Sequence, residues 1–123
     1  VFELQRALGN KDIERANRIV QYFEANPKNA PLAMVVPVLH AYFARVLVYQ
    51  TLQDRSEAAA AKAMRCSPYA VRDYARAAGT FSPAKVERIF GYLRDADKKA
   101  KGRSNATTSD GMLLREAVFK ILH

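Results

Sequence analysis

Few residues of this chain have the types and spacing that catalysis needs. Its two histidines, His40 and His123, are the natural candidates for a base or a metal ligand. His40 has no His or Glu three or four residues away, so helical metal-ligand spacing is missing. In an apolar helix it reads as a hydrogen-bonded core residue, and His123 is the last residue of the chain. The single cysteine, Cys66, has only Arg65 as a sequence-near basic partner and reads as a buried structural thiol. One cysteine excludes an internal disulfide and a cysteine metal cluster, and fits a reducing cytosol. Glycines do not gather into a phosphate-cradling loop, so a Walker-type nucleotide site is missing. Asp95 and Asp97 form a carboxylate pair, but two residues apart on a helix they point in different directions and balance neighbouring lysines instead. No catalytic, cofactor-binding or metal-ligating residue is expected.

Two constellations suit binding rather than catalysis. Residues 98–109 form a polar segment in which Lys98, Lys99, Lys101 and Arg103 place four positive charges in six residues. Such a segment seeks phosphate, but it holds no aromatic side chain on which a base would stack. Residues 57–78 have the outline of a helix-turn-helix, with a tight turn at Arg65, Cys66 and Ser67. In that reading the second helix enters the major groove, and Tyr69, Arg72, Asp73 and Arg76 are the candidate contacts. The turn lacks the glycine often found at its centre, and two short helices packed around a capped turn give the same outline. The net charge of +8 agrees with an acidic partner such as nucleic acid, and equally with a solubilising charge on helix faces.

The elements that would position these residues are helices. The chain has 123 residues, enough for one domain with its own core, and no stretch alternates as a strand does. A first helix is expected to stop at Gly9, and Asn10 to cap a second, with Ile13, Ala16, Val20 and Phe23 at helical spacing. These two are expected to form an antiparallel hairpin, ended by Asn26-Pro27. A third helix from Pro31 to about Leu52 carries one stripe of Leu32, Val36, Leu39, Phe43 and Val46, widened by Met34, Val38, Tyr42 and Tyr49. A helix this apolar is central to a bundle or spans a membrane. Pro37, His40 and Arg45 interrupt the run, which favours the bundle, and Pro37 is expected to kink it. Ser56, Ser67-Pro68 and Ser82-Pro83 mark three further helix starts, with Gly79 closing the middle one. A last helix opens at Asp110, with Leu114, Ala117, Val118 and Ile121 facing inward. The expected fold is an all-α bundle of six or seven helices. The chain starts Val-Phe-Glu, already in helical pattern, and is expected to be a piece of a longer protein without a secretion signal.

From Ser56 onward the order of features resembles the C-terminal domain of the delta subunit of bacterial DNA polymerase III. The residues that carry the likeness are Pro68-Tyr69-Ala70-Val71, then Ala77 to Ser82, then Leu93 to Lys101, before a polar loop and a leucine-rich last helix. The front half fits too, through Phe2 to Leu8, the hairpin around Asp12 to Phe23 and the long apolar helix. The resemblance implies a non-catalytic collar domain, residues 1–123, of a sliding-clamp loader acting in cytoplasmic bacterial DNA replication. Its parent would be a subunit of the DNA polymerase III holoenzyme, with ATPase-like domains N-terminal to this piece. The implied partners are the other clamp-loader subunits. Primer-template DNA would lie beneath the collar, and the sliding clamp would be met only through the missing N-terminal domain; no cofactor and no membrane are implied. Lys98, Lys99, Lys101 and Arg103 become the candidate DNA-facing residues, and the helix-turn-helix outline becomes ordinary helix packing. An independent helix-turn-helix DNA binder using Tyr69, Arg72 and Arg76 is the alternative. A third reading is a helical scaffold whose opening hairpin grips a peptide.

Overall fold

Serine and aspartate side chains start most of the helices. In the computed structural model, which describes residues 2–28, 31–102 and 109–123, the chain forms α1 (Phe2–Gly9), α2 (Ile13–Ala25), α3 (Leu32–Thr51), α4 (Glu57–Met64), α5 (Pro68–Thr80), α6 (Pro83–Gly102) and α7 (Asp110–Leu122). Ser56, Ser67, Ser82 and Ser109 each accept a hydrogen bond from a backbone N–H in the first turn of the helix that follows. The all-α expectation holds, and among the described residues there is no strand.

Three boundaries differ from expectation for local reasons. Asp12, not Asn10, caps α2, accepting from Arg15 N–H at 3.1 Å. Asn10 is still inside the turn that closes α1, where its N–H donates to Arg6 O. Lys11 then takes a left-handed φ of 53° and donates to Leu8 O, so the next extended position falls on Asp12. Gly79 does not close α5, since no glycine among the described residues has a positive φ, and the helix runs on to Thr80. The segment expected to be a loop from residue 98 is helical through Gly102. Lysine and alanine are good helix formers, and the Asp97–Lys101 pair at 2.9 Å supports the last turns. Positive side chains at a helix C-terminus also interact favourably with its dipole.

The core gathers around α3, which packs against α4, α5, α6 and α7. It buries Leu32, Val35, Leu39, Tyr42, Phe43 and Val46. Val35 therefore belongs to the inward stripe and Val36 only flanks it, while Met34, expected on the wide apolar face, is 56% exposed. By length and composition α3 could cross a membrane, but its buried side chains meet four helices of this chain. His40 is a correction: it lies on the outer face of α3, exposed, with its ring 4.9 Å from that of Phe90. Around the centre, α1 packs on α2 and α5, α2 on α7, and α6 on α7. The inward residues expected on α7 are all buried, as are Val86, Ile89, Leu93 and Ala96 of α6.

The α2–α7 seam is tight enough to require glycine. A Cβ on Gly111 would lie 2.5 Å from Glu24 Cγ and 3.0 Å from its Cα, whereas a Cβ on Gly79 would meet nothing. Gly111→Ala is thus expected to lower stability by about 1–3 kcal/mol through forced separation of α2 and α7. Gly79→Ala should raise it by about 0.4–1 kcal/mol by restricting the unfolded chain. Urea unfolding of the two variants checks both signs; equal effects would contradict the packing described.

Candidate protein- and nucleic-acid-binding surfaces

The expected DNA-facing lysines fall on the last turns of α6, where the helix fixes each one's direction. Lys98 is exposed and makes no ion pair with the described residues. Lys99 crosses to α7 and binds Glu116 Oε1 at 3.1 Å, and Lys101 binds Asp97 at 2.9 Å. Arg103 lies outside the described residues. The three lysines therefore share one helix end, but two of the three charges are already engaged.

The seam between α6 and α7 holds a cluster that sequence reasoning did not identify. Lys85, Tyr92 and Lys99 follow one another at seven-residue spacing, which keeps them on one side of α6. Lys85 Nζ donates to Lys120 O at 2.8 Å and sits 5.4 Å from the Tyr92 ring centroid, with Lys120 Nζ at 5.9 Å from the same centroid. Glu116 accepts from both Lys120 and Lys99, each at 3.1 Å, and these bonds hold its carboxyl below the usual carboxylate range. On the outer side of α6, Arg94, Lys98 and Lys101 recur at i, i+4, i+7, so Arg94 joins the basic stripe. That spacing was the available signal for it.

The alternative contacts on α5 divide in two. Tyr69 is 91% exposed and Arg72 is exposed, both in the first turns of α5. Arg76, by contrast, donates to Asn10 Oδ1 at 3.2 Å, and Asp73 lies 3.6 Å from Arg6. The second half of that surface thus ties α5 to the α1 end of the fold. The turn before it is made without glycine because Arg65 itself adopts a left-handed φ of 56°. Cys66 is half-buried there, and burial pushes its thiol pKa up, away from reactivity.

Large apolar side chains also reach the surface: Phe2, Tyr22, Met34, Met112 and Phe119 are each more than half exposed. Met112 and Phe119 are seven residues apart on α7 and share a face. On α2 and α7 such residues fall at a different phase from the inward stripe, whereas α3 is apolar on most sides and its period does not single out Met34. Among the described residues no three His, Cys, Asp or Glu side chains come together as metal ligands.

The model of the family described as DNA polymerase III delta subunit, C-terminal domain, matches residues 1–114. No curated protein and no solved structure gives a significant match to the chain.

The lowered carboxyl of Glu116 has a defined consequence for stability. A carboxyl whose folded pKa is depressed contributes stability above its ordinary value near 4.5, and that contribution fades as pH falls through the folded value. Both partners are about half exposed, so the effect is small and screened by salt. The difference in urea midpoint between the native protein and Glu116→Gln is expected to stay constant above pH 4.5 and to shrink below it. A difference that grows toward acid would contradict the assignment.

Proposed function

The chain belongs to the family of C-terminal domains of the DNA polymerase III delta subunit, and from that premise we propose that it acts as a collar domain of the sliding-clamp loader. The family places it in the clamp-loader setting, in a non-catalytic part of one subunit. In the proposed role residues 1–123 are one helical domain of a longer cytoplasmic bacterial protein. It holds delta beside its neighbours so that ATP binding in other subunits is transmitted to the clamp, which delta meets through its N-terminal part.

The observation that supports this role is apolar exposure. Met34 on α3 and Met112 and Phe119 on α7 are more than half exposed, as expected of faces that neighbouring subunits bury. The intact protein should co-purify with the other clamp-loader subunits, and Met34→Asp or the Met112→Asp/Phe119→Asp pair should weaken that association while leaving helicity by circular dichroism unchanged. Failure of the native protein to associate with any of those subunits would overturn the collar reading.

The basic stripe gives the DNA side of the proposal. Arg94 and Lys98 are the cations at the end of α6 that no described carboxylate neutralises, with Lys99 and Lys101 beside them. In the assembled loader, Lys98→Ala should weaken primer-template binding about equally for all sequences and lower the salt slope by about one. An unchanged slope would remove Lys98 from the DNA-facing surface. The free first turns of α5 favour the second reading, in which Tyr69 and Arg72 touch DNA. That reading predicts a large ratio of specific to random binding, which the same titrations measure.

A further inference from the structure

The outer face of the α1–α2 hairpin carries a groove that neither the basic stripe nor the exposed faces of α3 and α7 explain. It is an open groove of about 630 Å³, lined by Phe2 and Glu3 of α1 and by Arg15, Arg18, Ile19, Tyr22 and Phe23 of α2. This volume lies in the range of sites that seat a ligand or a peptide side-chain cluster. The groove follows from how α2 is patterned. Ala16, Val20 and Phe23 turn inward, while Arg15, Arg18, Ile19 and Tyr22 recur at i, i+3, i+4 and i+7 on the flank beside them. Phe23 and the half-buried Ile19 form an apolar floor. Phe2, 74% exposed, and Tyr22, 55% exposed, stand as aromatic walls.

The charges select the occupant. Neither Arg15 nor Arg18 makes a side-chain ion pair or hydrogen bond among the described residues, and Glu3 contributes the one carboxylate. We propose that this groove binds an acidic amphipathic segment of another protein, with its bulky apolar side chains between Phe2 and Tyr22 and its carboxylates on Arg15 and Arg18. Helix-in-groove recognition reads such a segment through anchors at i and i+4, with charge at the rim setting its orientation. A nucleic acid fits less well. Its affinity comes from many phosphate contacts, whereas two arginines offset by one glutamate give the groove a net charge near +1. The inference does not depend on the collar reading and would survive its failure.

Fluorescence anisotropy tests it on the full chain, with a short fluorescein-labelled peptide carrying Leu and Phe four residues apart and Asp or Glu around them. Saturable binding is expected, and Arg15→Glu/Arg18→Glu should weaken it roughly three- to tenfold. Tyr22→Ser should also weaken it. A peptide with Lys in place of its acids should fail on the native chain and bind the doubly reversed variant better, a rescue that a merely damaged fold would not show. Absence of saturable binding, or affinity indifferent to the charge reversals, would overturn the proposal. So would an oligothymidine that binds more tightly than the acidic peptide and is lost on the same substitutions.

Discussion

The fold depends on helix ends being satisfied by side chains from elsewhere in the chain. α3 begins after Pro31, which offers no side-chain cap, so the first N–H groups of the central helix need another acceptor. Asp110 supplies it across 78 residues of sequence: its Oδ2 accepts from Leu32 N–H at 2.9 Å. α3 in turn serves the ends of its neighbours. Arg45 Nε donates to Met64 O at 3.0 Å and so closes α4, and Gln50 Nε2 donates to Phe81 O at 2.7 Å and Ala78 O at 3.3 Å around the end of α5. Thr80 Oγ1 donates to Gly9 O at 2.9 Å and joins the end of α5 to the end of α1. Leaving one such partly buried group without a partner costs about 1–3 kcal/mol, so each cap constrains where two helices end relative to one another.

The start of α7 shows how closely these constraints are layered. Asp110 caps α3, and the next residue, Gly111, lets α2 approach at Glu24. One turn later Arg115 grips that same Glu24 through two contacts, at 2.7 and 3.0 Å. Three helices are therefore registered within a turn and a half of α7. Further along, Glu116 and Lys120 set the spacing to α6 through Lys99 and Lys85. The basic end of α6 is thereby tied to α7 through Lys99 and Glu116.

Much of this is legible in the sequence because it is local. Ser56, Ser67-Pro68 and Ser82-Pro83 announce helix starts through chemistry confined to one turn, and the inward residues of α7 follow from a 3.6-residue period. What cannot be read there depends on geometry between helices. Asn10 and Asp12 are equally good caps, and only the left-handed turn at Lys11 decides between them. α3 is apolar nearly all round, so its period does not say which side is inward; Val35 and Val36, or His40 and Tyr42, are separated only by where α5 and α6 dock. The lysine-rich stretch after Asp97 combines the charge of a loop with the propensity of a helix, and Glu116, the partner that tips the balance, is distant in sequence. The exposed walls of the α1–α2 groove are hidden for the same reason: Phe2 and Tyr22 lie off the inward stripes of their own helices, and the docking of α1 on α2 is what brings them to one groove.

The charge of the chain takes a different meaning once its partners are known. A net +8 suggests a polyanion-binding surface, yet many of the cations work inside the fold. Arg6, Lys99, Lys101, Arg115 and Lys120 are matched to carboxylates, while Arg45 and Lys85 are engaged by backbone carbonyls. A phosphate approaching the surface meets what is left over, and the leftover charge is not uniform. Besides Lys11, Lys28, Lys62, Arg65 and Arg88, which are exposed and without a carboxylate partner among the described residues, it lies on Arg94 and Lys98 at the end of α6, on Arg72 beside Tyr69 at the start of α5, and on Arg15 and Arg18 in the α1–α2 groove. Two of these places pair arginine with exposed aromatic surface and one does not. The end of α6 therefore fits the sequence-blind electrostatics of a phosphate backbone, whereas the groove, with an apolar floor and a carboxylate of its own, fits a partner that brings both carboxylates and side chains to bury.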